Sequence, residues 1–331
     1  MLTFSWKRKT ALVLGLIILA VGGPMAGPAA HAAYPDKPIN LVVPFSAGGS
    51  GDILARMVAE HLYTAWKQPV IVQNKPGAGG QIAMSYVARS PADGYTLAIT
   101  SSGTVGVNPY LYKNLPYDPV KDFDHVTILA DLPLILVVRN DSPFKTMEQF
   151  VVQAKAHPGV VSLGNAGVGS HQYLAASHFA SQAGVSLNLI PYKGGGEVVS
   201  ALLSGTVDGA MDNVITQTPL MHAGKTRGLA VASRQRLAFL PDVPTFSEVG
   251  IKSDFGMAFY GIAAPAGTPR DIVESLQTEI AKYLRSPEIV KRLSDMAVVG
   301  TASTPDETTA IVKNNLGIFA TITQKLGIQP Q

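Results

Sequence analysis

Three short segments concentrate backbone donors and hydroxyl groups. Pro44-Phe45-Ser46-Ala47-Gly48-Gly49-Ser50-Gly51-Asp52 follows an apolar run and precedes a helical pattern. Gly164-Asn165-Ala166-Gly167-Val168-Gly169-Ser170-His171 occupies the same kind of place later in the chain, and Thr100-Ser101-Ser102-Gly103-Thr104 follows a third apolar run. Glycine lets backbone N–H groups approach a guest closely, and a helix start adds free donors and a positive dipole end. This is the chemistry of anion capture, and in open α/β sheets it belongs at the carboxyl edge of the strands. Each segment also has a plainer reading. Ser50, Asp52 or Ser170 can cap the helix that follows. Asp52 is read as a cap, and Ser46 with its glycines as an anion nest, because three glycines exceed the needs of one turn.

Tyr192-Lys193-Gly194-Gly195-Gly196 is a further donor loop or a plain turn, and Asp212-Asn213 ends another strand-like run. If Asp212 faces a cleft, it suits a guest bearing an ammonium or a hydroxyl donor. Enzyme signatures are scarce. Gly48-Gly49-Ser50-Gly51-Asp52 misses the nucleophile-elbow pattern, so a secreted hydrolase using Ser50 or Ser170 lacks its framework. No H-E-x-x-H and no phosphate-binding loop occur, and Gly77-Ala78-Gly79-Gly80-Gln81-Ile82 lacks the last glycine of a dinucleotide fingerprint. His171 and His178 are not spaced as paired metal ligands, and His171 alone lies beside a donor loop. No cofactor and no metal are expected, and the chain is read as non-catalytic.

Composition narrows the class further. Lys7, Arg8 and Lys9, an apolar run from Ala11 to Val21, and Ala30-His31-Ala32 read as a secretory signal peptide over residues 1–33. Its three basic residues account for the surplus of 26 Lys+Arg over 23 Asp+Glu. A neutral mature chain offers no electrostatic case for nucleic acid or an anionic membrane. With no cysteine, disulfides, thiolate catalysis and Cys-held metals are excluded. The roughly 300 residues that remain exceed what one hydrophobic core usually holds.

Two series of alternating strands and helices position these loops. The first has strands at 39–43, 69–72 and 95–100, with helices from Ile53 to Trp66 and Ile82 to Ala88. Residues 108–123 read as a connection with little periodicity. A second series follows, with helices at 146–156, 170–182, 196–203 and 215–223 and strands at 160–164, 187–190, 206–211 and 226–232. Leu132 to Val138 and Phe255 to Ala264 are apolar strands, and helices near 269–284, 287–295 and 305–325 finish the chain. The pattern predicts two α/β lobes: lobe 1 from 34–134 plus 256–331, lobe 2 from 137–252. Hinge strands near 132–138 and 253–264 join them.

At these residues the chain resembles a known family. Tyr34-Pro35-Asp36-Lys37-Pro38, Val42-Val43-Pro44-Phe45 with Gly48-Gly49 and Asp52, Asn74-Lys75-Pro76-Gly77-Ala78-Gly79-Gly80 and Asp93-Gly94-Tyr95-Thr96-Leu97 look like the Bug-family receptors of tripartite tricarboxylate transporters. So do Asn108-Pro109 with Leu115-Pro116-Tyr117-Asp118-Pro119, Pro191-Tyr192-Lys193-Gly194, Leu240-Pro241-Asp242-Val243-Pro244-Thr245 and Ala264-Pro265-Ala266-Gly267-Thr268-Pro269. The likeness runs in order from Tyr34 to the C-terminus.

The resemblance implies a two-lobed periplasmic-binding-protein fold of type II. Each lobe would be a mostly parallel sheet flanked by helices, joined by two crossover strands. It implies an exported, periplasmic, monomeric receptor that closes on a small carboxylate (a dicarboxylate, tricarboxylate, acidic amino acid or aromatic acid) and serves a membrane permease. A ligand-sensing module for a membrane kinase would use the same physics. By position, the ligand residues implied are Phe45, Ser46, Ala47, Gly48, Gly49, Gln81, Ser101, Ser102 and Thr104 from one lobe. The other lobe supplies Gly169, Ser170, His171, Tyr192, Lys193 and Asp212. Gln81 stands where the family often has Asn, and Gly194-Gly195-Gly196 replaces a Gly-Ser/Thr-Ala-type stretch.

Overall fold

β1 (Ile39–Val43) is apolar and almost wholly buried, as a strand covered on both faces must be. It pairs in parallel with β2 (Val70–Asn74) and with β3 (Thr96–Ser101). Helices α1 (Ser50–Trp66) and α2 (Gln81–Ala88) make the crossovers. A computed structural model describes Met1, residues 34–252, Phe255 and residues 258–330. The signal peptide expected at 1–33 falls outside the described residues apart from Met1. The strands and helices named here all belong to the unit Pro35–Gln331.

Two sheets organise that unit. Completing the first are β4 (Phe123–Asp131), β10 (Phe259–Pro265) and β11 (Val299–Gly300), in the order β11-β4-β10-β3-β1-β2. Forming the second are β5 (Leu134–Arg139), β6 (Ser162–Asn165), β7 (Asn188–Pro191), β8 (Gly209–Asn213) and β9 (Thr226–Val231), in the order β7-β6-β8-β5-β9. Each sheet is parallel in part and holds interior strands that run against both neighbours: β4 and β10 in the first, β5 in the second. Of these, β5 and β10 are the strands by which the chain enters a sheet from the other one.

The passages between sheets differ from the continuous strands expected. The first occurs at Leu132-Pro133, between β4 and β5, where proline has no N–H to continue a ladder. The second spans the residues between β9 and β10. The Leu132 N–H bonds the Ala258 carbonyl at 2.8 Å and ties the two passages together. β4 itself was not expected. Its Asp124, His125 and Thr127 interrupt the apolar pattern, yet His125 is buried with its ring nitrogen 2.9 Å from the Pro119 carbonyl. Burial holds that imidazole below its ordinary pKa.

Helices cover the sheets. On the second sheet are α4 (Met147–Ala156), α5 (His171–Ala183), α6 (Gly195–Ser204) and α7 (Val214–His222). A π-helical turn at Gly103–Val107 leads into the segment expected to be irregular, which opens with α3 (Asn108–Leu111). The chain ends with α8 (Arg270–Leu284), α9 (Pro287–Asp295) and α10 (Pro305–Lys325). α10 begins on a capping box: the Thr304 side chain accepts from Glu307 N–H while Glu307 returns to Thr304. Near its other end Phe319 is fully buried with Val107, Leu111, Ile322 and Leu174. Leu174 comes from α5, so this apolar cluster joins elements of both sheets.

Candidate functional site

The loops at the carboxyl ends of the strands face one another across the gap between the sheets. The Ser46 N–H donates to the Lys193 carbonyl at 3.1 Å. Asn213 Nδ2 donates to Ser50 Oγ at 3.0 Å. Tyr112 Oη donates to the Val168 carbonyl at 3.0 Å. The glycines allow this closeness. A Cβ on Gly196 would lie 1.9 Å from the Ala47 carbonyl oxygen, and one on Gly79 would lie 2.6 Å from that of Val168. Two loops that must touch backbone to backbone leave no room for side chains.

Beside this seam lies a cavity of about 240 Å³, lined by Phe45, Gly77, Ala78, Gly79, Gly80 and Tyr112 from one side. Ala166, Gly167, Val168, Pro191, Tyr192 and Lys193 line the other. Among the expected site residues, Phe45, Tyr192 and Lys193 border it. The segment Gly77–Gly80, read in the sequence only as a turn, supplies a third of the lining. The signal for it was present in the run Pro76-Gly77-Ala78-Gly79-Gly80, but nothing local says what that run faces. Tyr112 had no signal, since it sits in a stretch without periodicity.

Several other expected residues spend their polar groups inside the protein. Gly48 N–H goes to Asp52 Oδ2 at 2.9 Å, and Arg56 Nε reaches the same oxygen at 2.9 Å. Asp52 therefore does not cap α1 as expected. Gly49 holds the N-cap position, and Asp52 bonds backwards from the first turn. Burial raises the Asp52 carboxyl, but the bonds from Arg56, Gly48 and Asn74 outweigh it and hold the group below its ordinary pKa. Ala47 and Gly48 are exposed on the outer rim.

Ser101 and Thr104 satisfy each other: the Ser101 N–H bonds Thr104 Oγ1 at 3.0 Å, and the Thr104 N–H bonds Ser101 Oγ at 3.2 Å. Ser102 is buried beside them. A Cβ on Gly103 would lie 2.8 Å from the Gly169 carbonyl and 3.2 Å from Ser170 Cα, so this loop abuts the Gly169-Ser170 bend. Ser170 Oγ caps α5 by accepting from Tyr173 N–H at 3.1 Å. The His171 ring turns away from the cavity, with Nε2 2.6 Å from the Phe255 carbonyl and its edge on Phe319. Burial lowers its pKa to about 4, so the ring is neutral and Nε2 carries the proton that Phe255 receives. Gln81 lies near the Tyr112 hydroxyl and borders a groove shared with Arg89.

Asp212 lies behind the Gly195 loop, its Oδ1 3.5 Å from where a Gly195 Cβ would sit. It accepts from Asn213 N–H at 2.8 Å, Thr216 Oγ1 at 2.7 Å and Gln217 Nε2 at 2.7 Å. No cation stands among these partners. Burial raises its pKa to about 6, against the pull of those three donors. Tyr260 of β10 was missed by sequence reasoning. Its hydroxyl meets Gln172, Ser50 and Asn213, and burial pushes it up to about 12. A larger groove, about 1250 Å³, is elsewhere, between α4, β9 and the loop carrying Phe239 and Leu240. It has none of the convergent loops and is not the candidate site.

Residues 54–328 match the model of the tripartite tricarboxylate transporter family receptor, TctC. The chain belongs to the TctC family. Its Bug-type relatives include BugT of Bordetella pertussis, 33% identical over 316 residues, which cover 95% of this chain and 96% of that protein. Among solved structures, the periplasmic binding protein BugD superposes with a TM-score of 0.86 at 34% identity, covering 90% of this chain and 100% of BugD. R. palustris Rpa4515, solved with adipate, gives a TM-score of 0.86 at 32% identity, covering 90% of this chain and 100% of that one. The TctC chain thus has the periplasmic-binding-protein architecture, with two mixed sheets flanked by helices.

Proposed function

We propose that this TctC chain is a periplasmic receptor that closes its two lobes on a small carboxylate and passes it to a membrane permease. In this reading it turns nothing over. The observation that carries the proposal is the meeting of glycine-rich loops from both sheets around the 240 Å³ cavity, with Phe45, Tyr192 and Lys193 on its walls. The adipate bound to Rpa4515 supports the ligand class. Export to the periplasm rests on the leader and on the family. No helix among the described residues is long and apolar enough to cross a membrane.

The physical requirement is modest. Micromolar binding needs about 8 kcal/mol. Neutral hydrogen bonds contribute about 1 kcal/mol each and charge-assisted ones about double, so several donors must act together. A cleft that closes from two sides collects them while removing water. Phe45, Tyr192, Lys193 and the loop donors around Ser46, Gly49 and Gly169 would form the site. Ser101, Thr104 and Ser170 would shape it by holding their loops. Calorimetry against a panel of carboxylic acids is the test. Stoichiometric, reversible heat from at least one acid is expected, and a folded protein that binds none of them would refute the proposal.

A further inference from the structure

We infer that the chamber is built for a carboxylate with one charged end and a flat apolar body, an aromatic monocarboxylate, in preference to a diacid. This rests on the receptor reading above. The first observation is charge. Lys193 is the only side chain with a formal charge among the twelve that line the cavity. It is exposed at the mouth, so its ammonium can meet one carboxylate there. Among the lining residues there is no arginine, histidine or second lysine to receive another.

The second observation is what the backbone has left to offer. Gly80 N–H is bonded to the Gly77 carbonyl at 2.9 Å and Tyr192 N–H to the Asn165 carbonyl at 2.9 Å. Gly167 N–H is bonded to Asn165 Oδ1 at 3.0 Å and Lys193 N–H to Glu197 Oε2 at 3.0 Å. These donors are used within their own lobes. The Tyr112 Oη proton is given to the Val168 carbonyl. A second carboxylate buried in this chamber would meet no cationic side chain among the lining residues, and exchanging its water for neutral donors alone is less favourable than a charge-assisted contact.

The third observation is shape. Phe45, Tyr112 and Tyr192 bring three rings to a space of about 240 Å³, with Pro191, Val168 and Ala78 adding apolar surface. The Phe45 side chain is almost fully buried, and its ring tip lies 3.8 Å from where a Gly80 Cβ would sit. Aromatic walls favour an aromatic guest, which stacks offset or edge-on. The volume equals that of about eight liquid waters, at about 30 Å³ each, which suits a single ring and its carboxylate.

The test is calorimetry of the mature chain with benzoate, hexanoate and adipate. Lys193→Met and Tyr192→Leu variants are run beside it, and a thermal melt of each establishes folding. Benzoate binding at least tenfold tighter than adipate and tighter than hexanoate is expected. Lys193→Met should weaken benzoate three- to tenfold, and Tyr192→Leu should weaken benzoate more than hexanoate. Adipate or hexanoate binding tighter than benzoate would overturn the inference and leave the receptor reading intact. Benzoate affinity unchanged in Lys193→Met would also overturn it. If the folded protein bound none of the three, nor any other acid of the panel, the receptor reading itself would fall.

Discussion

Asn213, at the end of β8 in the second sheet, donates its side-chain N–H to the hydroxyl of Ser50, in the first turn of α1 on the first sheet, at 3.0 Å. Both residues are about 1–3% exposed, and the pair is separated by 163 positions in sequence. It is a polar latch inside the seam, sharing Tyr260 as a neighbour.

Removing the latch should disfavour the closed arrangement. Ser50→Ala leaves a buried amide without its partner, at a cost of about 1 kcal/mol or more. Ligand affinity is expected to fall about fivefold while the thermal midpoint of the free protein changes little. Titration calorimetry reads the first quantity and a melt the second. Unchanged affinity would show that the bond adds nothing to closure.

Gly196→Ala tests closure by sterics alone. Its Cβ would stand 1.9 Å from the Ala47 carbonyl oxygen, which belongs to the opposite loop and cannot swing aside like a side chain. Loss of ligand binding by more than tenfold is expected. X-ray scattering should show a larger radius of gyration for the variant than for the parent protein with ligand present. A variant that still contracts on adding ligand would contradict the backbone contact.

Asp212 should leave a mark on the pH dependence of stability. Its folded pKa is raised from 3.8 to about 6 because the carboxyl is buried without a cation. The neutral form is therefore favoured in the folded state. Its stabilising effect is full below about pH 4 and is lost as pH rises through about 6. At 1.36 kcal/mol per unit, the upper limit is about 3 kcal/mol. Asp212→Asn keeps the shape and removes the titration. The difference in unfolding free energy between parent and variant should then slope between pH 4 and pH 6, measured by urea denaturation. A flat difference would mean that the carboxyl is better solvated than its burial implies.

Phe319 should matter more to stability than to specificity. It is fully buried, and its ring lies against Gly106, where a Cβ would come within 2.7 Å of Cδ2. Phe319→Ala should cost about 3–5 kcal/mol. Because the same cluster contains Leu174 of α5, some of that loss should appear as weaker ligand binding. Chemical denaturation and calorimetry on one preparation separate the two effects.

Local chemistry made much of the chain legible. The helices at 287–295 and 305–325 occupy the expected residues, because Pro287, Pro305 and the Thr304–Glu307 pair mark their starts. The alternation of strands and helices, and the donor loops at strand ends, likewise come from periodicity and glycine placement within a few residues. β4 escaped because its apolar positions are interrupted by half-buried Asp124, which accepts from Gly267 and Thr268 far along the chain, and by buried His125, whose ring nitrogen bonds the Pro119 carbonyl.

The arrangement of the seam is of the other kind. Whether Ser170 caps a helix or meets a ligand, where the His171 ring turns, and which glycine touches which carbonyl all depend on groups far away in sequence. Hydrogen bonds such as Asn213 to Ser50 and Tyr112 to Val168 leave no periodic trace, since either partner alone is an ordinary polar residue. Short-range preference specifies elements and their ends. The chamber is a property of the distance between two sheets, and that distance is set by packing across them.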